Sequence, residues 1–98
     1  MENQEVADSI KAKQALLKNE MSRLPDAKVM YKWYLGGKLS KGCPEEVEPE
    51  SVDSFIDYWV GEGFYLEQNT QEMDSNSIIW LKIWEYGDPE PTWEEVFE

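Results

Sequence analysis

Histidine is absent from this chain of 98 residues, and cysteine occurs once, at Cys43. The chain therefore lacks the side chain most used for proton transfer near neutral pH and the commonest ligand of transition metals. A single cysteine excludes an internal disulfide. Pro44 and Glu45 follow Cys43, and a nearby carboxylate makes a thiol a poorer nucleophile. We expect a protein that is not an enzyme and that holds no metal or cofactor.

Long apolar runs are also missing. No stretch approaches the roughly 18 apolar residues that a membrane-spanning helix needs. The chain begins Met-Glu-Asn-Gln-Glu, without the basic start and apolar run of a secretory signal. A lone cysteine fits a reducing compartment. These features predict a cytoplasmic protein that does not contact a membrane.

Basic residues are scarce, with nine against 21 acidic ones, a net charge of −12 and a pI near 4.3. Residues 1–42 hold eight basic and five acidic residues, a net charge of +3. Residues 43–98 hold sixteen acidic residues and one basic residue, Lys82, a net charge of −15. This charge opposes direct binding to nucleic acid or anionic lipid, and it favours a partner protein with a basic surface.

The most apolar stretch of the chain is Ser77 to Tyr86, in which Lys82 and Glu85 are the only charges. Its β-branched and aromatic composition predicts a strand, and alternation divides it into two faces. One face carries Ile79, Leu81 and Ile83, which we expect to form the core with Phe55, Ile56 and Trp59. The other face carries Ile78, Trp80, Lys82, Trp84 and Tyr86. Both faces need a cover, from the same domain or from a partner.

Residues 4–24 predict an amphipathic helix with Asn3 as its candidate N-cap. Gln14 interrupts its apolar stripe, and a polar residue at such a position can set the register of a helix pair. The helix either covers one side of the sheet or pairs with a second copy, so that the protein is a monomer or a homodimer. The stripe consists of Val6, Ile10, Leu17, Met21 and Leu24.

Residues 26–35 fit a helix or a strand, and the glycines at 36 and 37 shift our prediction slightly towards a helix, which they would terminate. Residues 36–50 contain three glycines and two prolines and predict a long loop without regular structure. The sign of the charge changes within this loop, from lysines to glutamates. Long loops in small domains are often functional.

Ser51 is a predicted N-cap for a helix over 52–61, whose buried side would include Phe55, Ile56 and Trp59. A strand over 64–67 and a polar connection over 68–76 then lead into the central strand, which runs antiparallel. In the acidic tail 87–98, Thr92 to Glu95 has the form of a capping box. The prediction is one α+β domain over 1–98, with the element order of a winged-helix-like domain.

The first functional hypothesis is a protein-binding module or inhibitor whose acidic side contacts a basic protein, for example one that binds nucleic acid. In composition and size the chain resembles the small acidic inhibitors of phages and mobile elements, including DNA mimics and anti-CRISPR proteins. The alternative interpretation of the same charges is a surface that only keeps the protein soluble. The candidate contacts are Glu45, Glu46, Glu48, Glu50, Asp53 and Asp57.

The second functional hypothesis is an adaptor or assembly subunit that binds its partner through aromatic residues. Its candidate contacts lie on the central strand and in the tail. The alternative is that the tail and the first helix cover the sheet within one chain. The residues concerned are Trp80, Trp84 and Tyr86 on the strand and Trp93 and Phe97 in the tail.

Overall fold

A mixed sheet lies at the centre of the computed structural model, which describes residues 2–74 and 76–98, with side chains from Ala7 onward. Within these residues the chain forms three α-helices and five strands. The elements are α1 (Glu2–Arg23), β1 (Lys28–Leu35), β2 (Lys38–Leu39), β3 (Glu45–Glu46), α2 (Val52–Gly61), β4 (Phe64–Gln71), β5 (Ile78–Glu85) and α3 (Trp93–Phe97). This small single domain confirms the predicted α+β class.

The strand β5 is central, as the sequence predicted. It pairs with β1 in parallel on one side and with β4 in the predicted antiparallel hairpin on the other. The two short strands β2 and β3 both pair antiparallel with β1. Residues Ile79 to Trp84 are all buried, so β5 is covered on both faces by its own chain. No partner is needed to cover it.

The two helices α1 and α2 cover the first face of the sheet. Leu17 of α1 and Ile56 of α2 are fully buried against this face, where Leu81 lies at the centre of β5. Four of the six predicted core residues are fully buried, whereas Phe55 and Trp59 are half-buried. The fully buried four are Ile56, Ile79, Leu81 and Ile83.

The C-terminal tail, residues 87–98, covers the second face. Val96 of α3 is fully buried and packs with Tyr34, Trp80 and Trp84. The predicted capping box is present: the Thr92 hydroxyl accepts from the Glu95 amide at 3.2 Å, and the Glu95 carboxylate accepts from the Thr92 amide at 2.9 Å. This box fixes the start of α3, a helix of five residues.

The slight preference for a helix over 26–35 is wrong, because residues 28–35 form β1. Its side chains pack on both sides of the sheet, with Val29 towards α1 and α2 and Tyr34 towards α3. Gly36 and Gly37 do not end a helix. Their φ angles of 58° and 80° form the two-residue turn between β1 and β2. The second helix in the winged-helix-like order is therefore a strand.

The loop over 36–50 contains more regular structure than predicted. The two-residue strands β2 and β3 pair with β1, and Pro49–Ser51 form a 3₁₀ turn before α2. Ser51 stands at the predicted N-cap of α2, but its side chain makes no capping hydrogen bond. The predicted helix over 52–61 is confirmed, while β4 extends beyond its predicted end to Gln71.

The helix α1 begins before Asn3, so this residue lies inside the helix and does not precede it; the side chains of Asn3 and Val6 lie outside the described residues. Gln14 binds within the chain, since its Nε2 donates to the Asp53 carbonyl of α2 at 2.9 Å. Ile10 and Leu17 on the same stripe are buried in the core. These two residues of the stripe therefore belong to the core of the domain, as the first alternative expects. None of the described helices has the length and apolar character to cross a membrane.

Glu20 links α1 to the edge strand β4. Its carboxylate accepts two hydrogen bonds from Arg23, at 2.8 and 2.9 Å, and one from the Thr70 hydroxyl. The hydrogen bonds from Arg23 and Thr70 lower the pKa of Glu20 from 4.5 to about 2. A carboxyl whose pKa is lowered by folding stabilises the native state at pH values above the pKa that it has in the unfolded chain. This stabilisation is lost as the pH falls towards the pKa of the folded state.

The change Glu20→Gln should therefore lower the free energy of unfolding at neutral pH, and the difference from wild type should shrink between about pH 4.5 and about pH 2. Urea unfolding across this range measures the difference. Glu62→Gln, at an exposed glutamate outside these contacts, is the control. If the difference between wild type and the Glu20→Gln variant stays constant down to about pH 2, the ionised carboxylate does not hold these bonds.

Candidate protein-binding surface

An acidic depression lies where β3 meets β1 and α2. Its volume is about 290 Å³. Two aromatic rings belong to its wall, those of Tyr31 and Phe55, whose centroids are 4.8 Å apart in an edge-on arrangement. The remaining lining residues are Glu45, Glu46, Val47, Glu48 and Ser51. The depression is therefore lined by three glutamates together with two aromatic residues.

Strand pairing positions the first of these carboxylates. Glu45 lies opposite Tyr31 in the β1–β3 register, and the Tyr31 hydroxyl donates to the Glu45 carboxylate at 3.0 Å. Burial, and then the hydrogen bond to Glu45, raises the pKa of Tyr31 to about 12. The phenol consequently stays protonated at neutral pH and holds Glu45 in place as a donor.

Four of the six predicted acidic contacts are exposed glutamates of the segment 45–50, and the structure brings three of them together at the depression. Glu50 lies outside its lining, in the 3₁₀ turn. Among the described residues, none of the four forms an ion pair. Their charges are therefore available to a partner. The four are Glu45, Glu46, Glu48 and Glu50.

The two predicted aspartates of α2 differ from one another. Asp57 is exposed, but it does not line the depression. Asp53 is half-buried and pairs with Lys18 of α1, at 2.6 Å between Oδ2 and Nζ. Asp53 thus joins the two helices, and its charge is already partnered within the chain.

The predicted aromatic contacts are largely engaged in folding. Trp80 and Trp84 retain only 6% of their surface each, because the tail lies over them. They are not exposed to a partner as the adaptor hypothesis requires. Trp93 and Phe97 are half-buried against the same cluster. Tyr86 is the exception, with 72% of its surface exposed.

The sequence did not predict the aromatic part of the depression. Tyr31 lies in the segment that fits a helix or a strand, and Phe55 belongs to the predicted core. Their place beside Glu45 depends on the pairing of β3 with β1 and on the packing of α2 against β1, and no local pattern encodes either. The alternation Val29, Tyr31, Trp33 was the available signal for the strand.

Comparisons of the chain with protein-family models, with curated proteins and with solved structures find no match.

Proposed function

We propose that this protein is a small acidic protein-binding module whose segment 45–50 contacts a basic surface of its partner. The observation that supports the proposal is the depression that Glu45, Glu46 and Glu48 line together with Tyr31 and Phe55, with the Glu45 carboxylate hydrogen-bonded to the Tyr31 hydroxyl. Such a site suits a lysine or arginine side chain, which bonds to carboxylates and attracts the faces of aromatic rings.

The net charge of the whole chain acts in the same direction. At −12, it accelerates the approach of a basic protein and repels acidic ones. The aromatic rings add what a solvated acidic surface lacks, a place where the apolar stem of a basic side chain loses contact with water. The net charge then steers the basic partner towards this protein, and the depression binds one lysine or arginine side chain of that partner.

We further propose that the partner is a protein that handles nucleic acid, and that binding inhibits it. A groove that holds phosphates is lined by lysine and arginine, and exposed carboxylates can occupy the same positions. The exposed glutamates of segment 45–50 support this interpretation. It corresponds to the phage-type DNA mimics and anti-CRISPR inhibitors that the chain resembles in composition.

Binding of a dye-labelled octa-arginine peptide at two salt concentrations tests the charge-led mode. We expect the affinity measured by fluorescence anisotropy to fall at least about tenfold between about 50 mM and about 300 mM NaCl, because salt screens exposed charges. A glycine–serine peptide of equal length is the control and should not bind. Octa-arginine binding that is insensitive to salt would contradict the proposal.

An aromatic adaptor surface is the second candidate, and one observation favours it. Tyr65 and Tyr86 are both exposed, and their ring centroids lie 5.4 Å apart. They lie at the open end of the β4–β5 hairpin, opposite its turn. Tyrosine pairs of this kind frequently anchor protein interfaces. This mode predicts a contact that salt does not weaken.

A further inference from the structure

Two lysines lie side by side inside the protein, between the sheet and the tail. Lys32 of β1 and Lys82 of β5 are direct neighbours in the parallel register. Their exposed fractions are 6% and 1%, so both side chains are nearly or fully buried. Lysine is almost never buried without a partner that compensates its charge. The groups around the two ammonium groups must therefore compensate their charges.

The tail provides every hydrogen bond that the described residues make to these two ammonium groups. Lys82 Nζ donates to the Glu90 carboxylate at 2.8 Å and to the Pro91 carbonyl at 2.7 Å. Lys32 Nζ donates to the Glu95 carbonyl at 3.2 Å. If the tail left, the two ammonium groups on the sheet face would lose these hydrogen-bond acceptors.

Tryptophan rings complete the surroundings of the ammonium groups. Lys82 Nζ lies 4.4 Å from the ring centroid of Trp93 in the tail and 5.1 Å from that of Trp84. Lys32 Nζ lies 5.3 Å from the ring centroid of Trp80. The face is thus a cationic surface walled by tryptophans, and the tail adds a carboxylate, two carbonyls and one further ring.

Apolar residues would suit positions 32 and 82 better than lysine if the tail only had to cover the sheet. Leucine or methionine at positions 32 and 82 would pack under the tail without the desolvation penalty of an ammonium group. The lysines instead make the cover selective, since only a segment that brings acceptors and an aromatic ring leaves no charge unpartnered. Such selectivity is characteristic of a binding site.

We propose that the lysine face, formed by Lys32, Lys82, Trp80 and Trp84, binds an acidic peptide segment of a partner protein and that the tail occupies this site in cis. The partner segment would share the chemistry of the tail, with a carboxylate and proline followed by an aromatic residue. Charge complementarity supports this occupant, because the twelve tail residues carry five carboxylates. This site is separate from the acidic depression, so either proposal can fail alone.

The tail is attached in a way that permits exchange. It forms no strand pairing with the sheet, and its only helix has five residues. It joins β5 through Gly87, whose φ is 96°, and an irregular segment up to Thr92. Beyond the turn at Gly87, and apart from the packing of Trp93, Val96 and Phe97, the tail is held by hydrogen bonds that each involve a side chain, and such an element opens more readily than a hydrogen-bonded strand. A peptide in trans must nevertheless compete with a tethered segment at an effective concentration of the order of millimolar.

The test uses the full-length chain and a dye-labelled peptide of residues 87–98 as the probe. The double substitution Trp93→Ala and Val96→Ala weakens the tail and leaves the lysine face unchanged. We expect this variant to bind the peptide at least about tenfold more tightly than wild type, measured by fluorescence anisotropy. The matched control is Glu94→Ala with Glu98→Ala, two exposed tail residues, and it should bind like wild type.

A milder variant, Thr92→Ala, removes only the capping box and should raise the affinity about fivefold. A peptide in which Trp93 is replaced by alanine and Glu90 by glutamine should lose most of its affinity for either variant. Circular dichroism reports whether each variant is folded.

Three outcomes would overturn the proposal. In the first, the folded variants bind the peptide no more tightly than wild type does. In the second, both variants fail to fold, which would make the tail a structural element and not an exchangeable ligand. In the third, light scattering shows that the weakened variants dimerise by exchanging tails, which would identify the occupant as a second copy.

Discussion

Reversing four charges together, Glu45, Glu46, Glu48 and Glu50 to lysine, is expected to abolish binding of octa-arginine at low salt while the fold remains intact. The substitution changes the charge by eight units at the proposed contact. All four side chains are exposed, and the described residues give none of them an ion pair. Individual exposed charges contribute less than about 1 kcal/mol each, which is why the four are changed together.

The matched control reverses four other exposed glutamates, at positions 62, 72, 85 and 98, and makes the same change in net charge. We expect this control to weaken octa-arginine binding only modestly, because the long-range field falls while the depression is preserved. Circular dichroism and melting temperature should match wild type in both variants. Equal losses in the two variants would mean that the net charge, and not segment 45–50, determines binding.

Leu81→Ala is expected to lower the free energy of unfolding by about 2–5 kcal/mol, since it leaves a cavity at the centre of the core. Leu81 is fully buried, and β5 places it between Tyr31 of β1 and Gln68 of β4. A domain of this size has about 5–15 kcal/mol in total, so much of its stability would be lost.

Denaturant unfolding measures the effect, with Tyr86→Ala as the control because 72% of that side chain is exposed. The control should change the free energy of unfolding by no more than about 0.5 kcal/mol. A loss below that value for Leu81→Ala would show that its side chain faces away from the core.

The elements that the sequence predicted well are those with strong local patterns. The helix α2 has a clear apolar stripe and ends near two glycines, and β5 is apolar along its whole length. The capping box at Thr92 is a short motif whose geometry is determined locally. In each case the physical cause lies within a few neighbouring residues.

The elements that were predicted wrongly depend on distant partners. The sequence of β1 fits a helix equally well. Its parallel pairing with β5, some fifty positions further along the chain, stabilises it as a strand. The same two glycines fit a helix end and a hairpin turn, and only the pairing of Leu35 with Lys38 selects the turn. β3 is too short to have a pattern of its own.

The two candidate sites were predictable to different degrees. Exposure of the glutamates in segment 45–50 followed from their composition and from the prolines around them, whereas the aromatic rings beside them required the strand register. Lys82 stood out as the one basic residue after position 42. Its burial beside Lys32 could not be predicted, because local patterns do not show which residues the tail contacts.

The most direct test of the acidic depression is a nuclear magnetic resonance titration of isotope-labelled protein with octa-arginine. Amide and aromatic chemical shifts report which residues the peptide contacts. The proposal predicts that the largest changes occur at Tyr31, at 45–48 and at Phe55, and that they vanish in the variant with segment 45–50 reversed. Changes centred on Tyr65 and Tyr86, or spread evenly over all exposed carboxylates, would contradict it.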